Sequence, residues 1–301
     1  MSVSPPTADT QPGVTPPSPA PQEQLVKSDA GRRVARSFGF FVLAVVVTLV
    51  IWVLFIRFYN LDPVIAKSPL DVLRYLFTQH ADKVHGLRNA SGNRQILFHN
   101  LQTTMRDFIV GYIAGIVLAL VVACLFVLQR RVEQTFMPVA LALRSVPLVA
   151  MAPLITLIFG RGIMAVAVIG GIVCFFPALV NIVYGLRATP KSALDLMKSY
   201  GASKYTTLRK VQIPSAMPSI FASLRINVPG AIIGALLAEW LATGKGSGNE
   251  MLTVVNTFDY GELWSAVVLV TAISMILYSL VSALEGVVLA RYAPDTIGKK
   301  K

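Results

Sequence analysis

Long runs of residues without a formal charge constrain this chain more than any other feature. Ser37–Ile56 carries no charged residue over 20 positions, and Phe108–Leu128 is a second such run, bounded by Asp107 and Arg130. A helix that crosses the hydrocarbon core needs about 20 consecutive, mainly apolar residues, because the missing water leaves only intrahelical partners for the backbone. Four more segments are read as spans, roughly Pro138–Phe159 and Gly162–Leu186, hinged at Gly160-Arg161-Gly162, then Asn227–Leu241 and Trp264–Leu284. The expected fold is an all-α membrane protein with about six transmembrane helices. The third and fifth spans are the weakest, since they contain Arg144 and Glu239 and are interrupted by Pro147, Pro153 and Pro229.

Composition agrees. Only 14% of the 301 residues are charged and 54% are hydrophobic, where a soluble domain carries about 25% charged residues. The net charge of +12 raises the question of nucleic acid, whose phosphates attract basic proteins. The basic residues here lie between apolar runs rather than on one face, which excludes that class of partner. Cys124 and Cys174 both fall within apolar runs and read as buried, inert thiols. Residues 1–30 are expected to form a disordered tail, since 1–26 are rich in Pro, Thr, Gln and Ser and have no apolar period. The transmembrane domain is then expected to occupy 31–301. A cleaved signal peptide is not expected, because the first apolar run begins too late.

Lys and Arg in the connecting segments set the orientation. Lys27, Arg32, Arg33, Arg36, Arg130, Arg131, the seven basic residues between Arg187 and Arg225, Arg291 and Lys299–Lys301 fall on one side. That side is read as cytoplasmic, with both termini there and the chain in the cell membrane. Residues 57–106 form a long external loop that dissents, with seven basic residues, but long loops weigh less in the rule. Within it, Ser68-Pro69 reads as a cap and first helical position, followed by Leu70, Leu73, Leu76 and Phe77 at helical spacing. Two readings fit: a short helix on the outer membrane surface, or one packed onto the spans. His80, His85 and His99 lack convergent ligand spacing, so no metal site is expected.

The segment Thr189–Pro214 is the most specific stretch. Thr189 before Pro190 starts a helix, Gly201 supplies a left-handed stop, Ser203 caps a second helix, and Pro214 is expected to end it. A helix–turn–helix with Ala, Leu and Met on one face and Lys and Arg on the other suits a protein groove. A DNA-reading unit is out of place so close to membrane spans. Asp195-Leu196-Met197, three residues, Gly201, nine residues, then Val211, Ile213 and Pro214 resemble, in spacing, the signature E-A-A, three residues, Gly, nine residues, I-x-L-P of permeases of ATP-binding-cassette importers. Asp195 stands for the Glu, and Leu196-Met197 for the two Ala.

The resemblance extends from about Phe98 to Ala293. Leu143-Arg144-Ser145-Val146-Pro147, Ala152-Pro153-Leu154-Ile155, Phe159-Gly160, Phe175-Phe176-Pro177-Ala178, Asn181, Ala238-Glu239 and Gly246-Ser247-Gly248 resemble permeases of the nitrate/sulfonate/taurine-type family. Ser247 replaces a Leu of the family pattern. The resemblance implies a type I importer permease fold and a coupling role for Asp195, Leu196, Met197, Tyr200, Gly201, Ala202, Ile213 and Pro214. It also implies a second copy of the chain, an ATPase dimer that holds ATP and Mg, and an extracytoplasmic solute-binding protein. No catalytic residue and no cofactor are expected in this chain. Gly244-Lys245-Gly246-Ser247 lacks the order of a phosphate-cradling loop.

Charged and polar groups within spans mark pathways or partners. Arg144, Asn181, Glu239 and Trp240 are therefore candidate pathway residues. Arg144 and Glu239 are equally readable as hydrogen-bonded to backbone freed by the prolines. Gly111-x-x-x-Gly115 and Gly230-x-x-x-Gly234 permit close helix approach, by default within one subunit. The rival functions are a secondary transporter, which needs no docking loop, and an integral-membrane enzyme, for which clustered acids and histidines are missing.

Overall fold

The computed structural model describes Gly39 and residues 43–77 and 90–292, and every regular element among them is helical. The expected tail, residues 1–30, lies outside the described residues, as do His80 and His85. The chain divides after Leu61 into two units. The first holds α1 (Leu43–Phe58), the later part of the expected first span. It closes where Leu61 N–H bonds the Ile56 carbonyl and Asn60 N–H that of Arg57, with Asn60 left-handed at φ 46°. Asparagine is one of the few residues with a side chain that tolerate that position.

The second unit contains α2 (Pro69–Phe77), α3 (Ala90–Leu128), α4 (Arg130–Arg144), α5 (Leu148–Phe159), α6 (Ile163–Arg187), α7 (Lys191–Ser199), α8 (Lys204–Thr207), α9 (Ile213–Ala238), α10 (Ser247–Asn256) and α11 (Tyr260–Tyr292). Four of its helical stretches are long and apolar enough to cross a membrane: Ser91–Leu128, Ile163–Arg187, Lys204–Thr243 and Tyr260–Leu289. The pair α4 and α5, bent by 104°, is apolar enough for a fifth only when the two are taken together as one broken span.

Three expectations need correction. The third span is not one helix: α4 stops at Arg144, Pro147 caps α5 in an extended conformation, and the chain turns sharply between them. A residue before proline avoids the helical region, so Val146-Pro147 breaks the run. Pro214, in contrast, does not end a helix. Leu208–Gln212 forms a wide turn in which Ile213 N–H reaches back five residues to the Leu208 carbonyl, and Pro214 then falls in the first turn of α9. The wide turn shifts the bonding frame just ahead of Pro214, so its missing N–H does not interrupt the stretch. Helix α9 likewise runs through Pro229. The hydroxyl of Tyr112 donates to the Leu224 carbonyl at 2.8 Å, and the Asn227 amide to the Ser223 carbonyl at 2.8 Å, so side chains serve carbonyls in the turns beneath it. The result is a 40-residue helical stretch, Lys204–Thr243, in place of the short fifth span.

Helix α6 is the axis of the second unit, packed between α3 and α9. Its Ile169, Leu179, Ile182 and Leu186 are almost wholly enclosed. Lipid tails are as apolar as these side chains, so close van der Waals packing rather than water exclusion must hold the helices together. Glycines make that possible. A Cβ on Gly111 of α3 would come within 2.8 Å of the Gly170 Cα on α6, and one on Gly234 of α9 within 3.1 Å of the same atom. Gly115 lies against Gly171 and Cys174. Gly230 meets only Val173, at ordinary contact distance. Both cysteines are free thiols, Cys174 fully enclosed.

Candidate functional site

The docking candidate is a helical hairpin at one end of the bundle. Helix α7 starts after Pro190; the Thr189 hydroxyl, buried, bonds the Leu186 carbonyl and ties the hairpin to the end of α6. At the far end Ala202 N–H bonds the Met197 carbonyl and Gly201 N–H that of Lys198, with Gly201 at φ 67°. That double bond pattern around a left-handed residue is a Schellman stop. Ser203 then caps α8 through the Thr206 N–H at 3.2 Å. From Leu208, which is buried, the chain enters α9 without a break.

Asp195, Leu196, Tyr200 and Gly201 are exposed on this hairpin, and Asp195 stands 3.4 Å from Lys198. Leu196 and Tyr200 are 56% and 80% exposed on it. Met197 and Ala202 are half-buried, and so are Ile213 and Pro214, with Ile213 against the cluster shared by α3, α6 and α9. The last two therefore root the hairpin. Tyr205, 63% exposed on α8, extends the same surface; its place was not legible because no fixed spacing marks it. An ion pair between Arg187, at the end of α6, and Glu133 of α4 braces the base of the hairpin.

The intramembrane candidates do not converge. Arg144 is exposed at the break between α4 and α5, and Asn181 is half-buried on the hairpin half of α6. Glu239 stands near the opposite end of α9, fully enclosed, with Trp240 beside it half exposed. Its carboxylate accepts from Gly248 N–H at 2.7 Å, and the Thr104 hydroxyl of α3 accepts from Ser247 N–H at 3.0 Å. Two orphan donors at the start of α10 are thus satisfied, and a carboxylate there also meets the positive end of the helix dipole. The chain between them is shaped for this contact. Gly244 and Gly246 take φ of 66° and 87°, and a Cβ on Gly246 would collide with the Glu239 carboxylate. A Cβ on Gly248 would collide with the Leu236 carbonyl.

One further ion pair escaped sequence reading. Arg225, assigned above to a basic loop, lies within α9 and stands 2.8 Å from Glu285 of α11, with its guanidinium 5.9 Å from the Tyr278 ring centre. The partners stand 60 positions apart, which hides the pair from any local pattern.

Residues 111–293 match the family described as binding-protein-dependent transport system inner membrane component. The chain belongs to that family. It is 30% identical over 236 residues to a probable ABC transporter permease protein of Haemophilus influenzae, covering 78% of this chain and 91% of that one. To the formylaminopyrimidine transport permease ThiX of Halalkalibacterium halodurans it is 27% identical, covering 80% and 91%. Sulfonate, nitrate and taurine permeases are also among its relatives, as the motifs implied. Among solved structures, the methionine ABC transporter MetNI in inward-facing conformations shares the fold: TM-score 0.52 at 17% identity, over 66% of this chain and 95% of that one. This permease is thus an all-helical membrane protein of the type I importer fold.

Proposed function

We propose that this permease forms, with a second copy of itself, the translocation pathway of an ATP-driven importer in the cell membrane, and that residues 189–214 couple it to a separate ATPase dimer. In this reading the hairpin and both termini face the cytoplasm, and an extracytoplasmic solute-binding protein delivers the substrate. One observation carries the proposal: a capped, braced hairpin presents exposed Leu196, Tyr200 and Tyr205 and is continuous with a span through α8 and α9. Such a surface, exposed yet rigid at its base, fits a groove on a moving partner. Movement of the ATPase subunits would pull the hairpin and tilt the spans. Arg144, Asn181 and Trp240, the candidates not fully enclosed, are assigned to the pathway in this reading. Glu239 serves it indirectly, by fixing α10 over the far end of α9. Relatives name solutes from nitrate to formylaminopyrimidine, so selectivity is assigned mainly to the binding protein.

The test is Gly201→Val. No neighbour lies within 4 Å of a Cβ at Gly201, so the change acts through the left-handed backbone alone, at a cost of about 1–2 kcal/mol. Membrane insertion should persist while ATP hydrolysis by the assembled complex loses its coupling to uptake. Gly201→Asn, which tolerates that conformation, should retain far more coupling. Normal ATP-driven uptake by the Val variant would overturn the assignment.

A further inference from the structure

The short helix α2 has three faces. At about 100° per residue, Val72, Tyr75 and Leu76 point one way, Asp71 and Arg74 another, and Leu70, Leu73 and Phe77 a third. The first face is used within the protein: Val72 and Leu76 are buried, the Tyr75 hydroxyl donates to the Glu262 carboxylate at 3.4 Å, and Arg94 of α3 donates to the Leu76 carbonyl at 3.2 Å. Among the described residues the third face is left uncovered. Leu70, Leu73 and Phe77 are 64%, 52% and 70% exposed, and Val64 and Ile65 in the preceding turn are exposed as well.

The depth of this face is fixed by a second contact. The indole N–H of Trp264, in the first turns of the membrane-crossing helix α11, donates to the Ile65 carbonyl at 2.9 Å. Tryptophan at the end of a span marks the boundary between acyl chains and headgroups, so the turn it holds shares that level. Exposed Arg74 and half-buried Lys67 flank the apolar face and carry the sign that suits lipid phosphates. Helix α2 is also internally braced: Ser68 N–H and Ser68 hydroxyl both donate to the Asp71 carboxylate, at 2.9 and 2.7 Å, and Asp71 N–H returns a bond to Ser68 at 3.3 Å. These reciprocal bonds close the start of α2 as a capping box does.

We infer that α2 is an interfacial membrane anchor, with Leu70, Leu73 and Phe77 at the acyl–headgroup boundary and Arg74 among the phosphates. It would hold the outer ends of α3 and α11 at a fixed depth, so that motion elsewhere tilts those helices about this level. The protein contacts satisfy one reading of the sequence, a helix packed onto the spans. The face left over is the one that the other reading, a helix on the outer membrane surface, would use.

Spin labels test the inference in the intact permease, in nanodiscs that contain anionic lipid. With Cys124→Ala and Cys174→Ala as background, single labels at Leu70→Cys, Leu73→Cys and Arg74→Cys are compared by power saturation with oxygen and a water-soluble nickel chelate. Labels at 70 and 73 should favour oxygen several-fold over the label at 74, at a depth near the headgroup boundary. Equal nickel access at all three positions would overturn the anchor. So would protection at 70 and 73 that arises only when a solute-binding protein is added, or spin–spin broadening that reveals a second copy on this face.

Discussion

Replacement of Glu239 separates a role in holding the fold from a role in carrying charge. In the structure its carboxylate is enclosed and accepts the Gly248 N–H at 2.7 Å, closing the start of α10 against α9. Glu239→Leu removes the acceptor and leaves a buried N–H without a partner, which costs about 1–3 kcal/mol. The branched side chain would also press on Gly246, where no spare volume exists. A total loss of about 2–6 kcal/mol is expected, since overpacking itself costs about 1–3 kcal/mol. Glu239→Gln retains an oxygen that can accept from Gly248 and nearly the same volume, so its loss should stay below about 1.5 kcal/mol, the net worth of one ordinary hydrogen bond. Melting of the detergent-solubilised permease, with uptake and ATPase rates of the reconstituted complex, reads both variants. The Leu variant should melt several degrees lower, and the Gln variant should melt and transport much like the parent. A Leu variant as stable as the parent would refute the latch. A Gln variant that is stable but transports nothing would show that the charge itself is needed in the pathway.

Three further outcomes are expected. A cysteine at Tyr200 should react only with reagents on the cytoplasmic side and one at Lys245, which is exposed, only from the other side; labelling of both from one side would break the proposed orientation. Gly111→Ala forces a methyl to within 2.8 Å of Gly170 and should lower stability by about 1–3 kcal/mol, read by thermal melting; an unchanged melt would mean that α3 and α6 part freely. The Ser68 hydroxyl holds the Asp71 carboxyl below its ordinary value of 3.8, so α2 is steadied at all pH above that value and loses the contribution as pH falls through the lower, folded value. A Ser68→Ala variant, about 1 kcal/mol weaker at the cap, should lose that acid transition in the mobility of a label on α2.

How far the sequence could be read depended on whether a residue's partner is near it in the chain. The bounds expected for α6, Gly162–Leu186, differ by one residue from Ile163–Arg187, because glycines at the start and a basic residue at the end are local signals. The caps at Gly201 and Ser203 were legible for the same reason. Proline misled twice in opposite directions. Pro147 broke a span that hydropathy would have joined, whereas Pro214 and Pro229 stayed inside a helix, one beside a wide turn and the other above carbonyls served by Tyr112 and Asn227. Glu239 was singled out as a costly charge, but its partnership with Gly248 needs the fold of Gly244–Gly246, and Thr104 lies 143 residues from Ser247. The pair Arg225–Glu285 was invisible on the same ground.

The unbroken stretch Lys204–Thr243 has a mechanical consequence. Forty residues at about 1.5 Å each make a rod of about 60 Å, roughly twice the thickness of the hydrocarbon layer. Its wide turns fall near the two ends, Leu208–Gln212 beside the hairpin and Glu239–Thr243 beside α10. A tilt of about 10° imposed at the hairpin would sweep the far end through about 10 Å, by lever arithmetic on that length. A signal carried this way requires no relay of side chains through the bilayer. It requires only that the shaft stay stiff between the wide turns near its two ends.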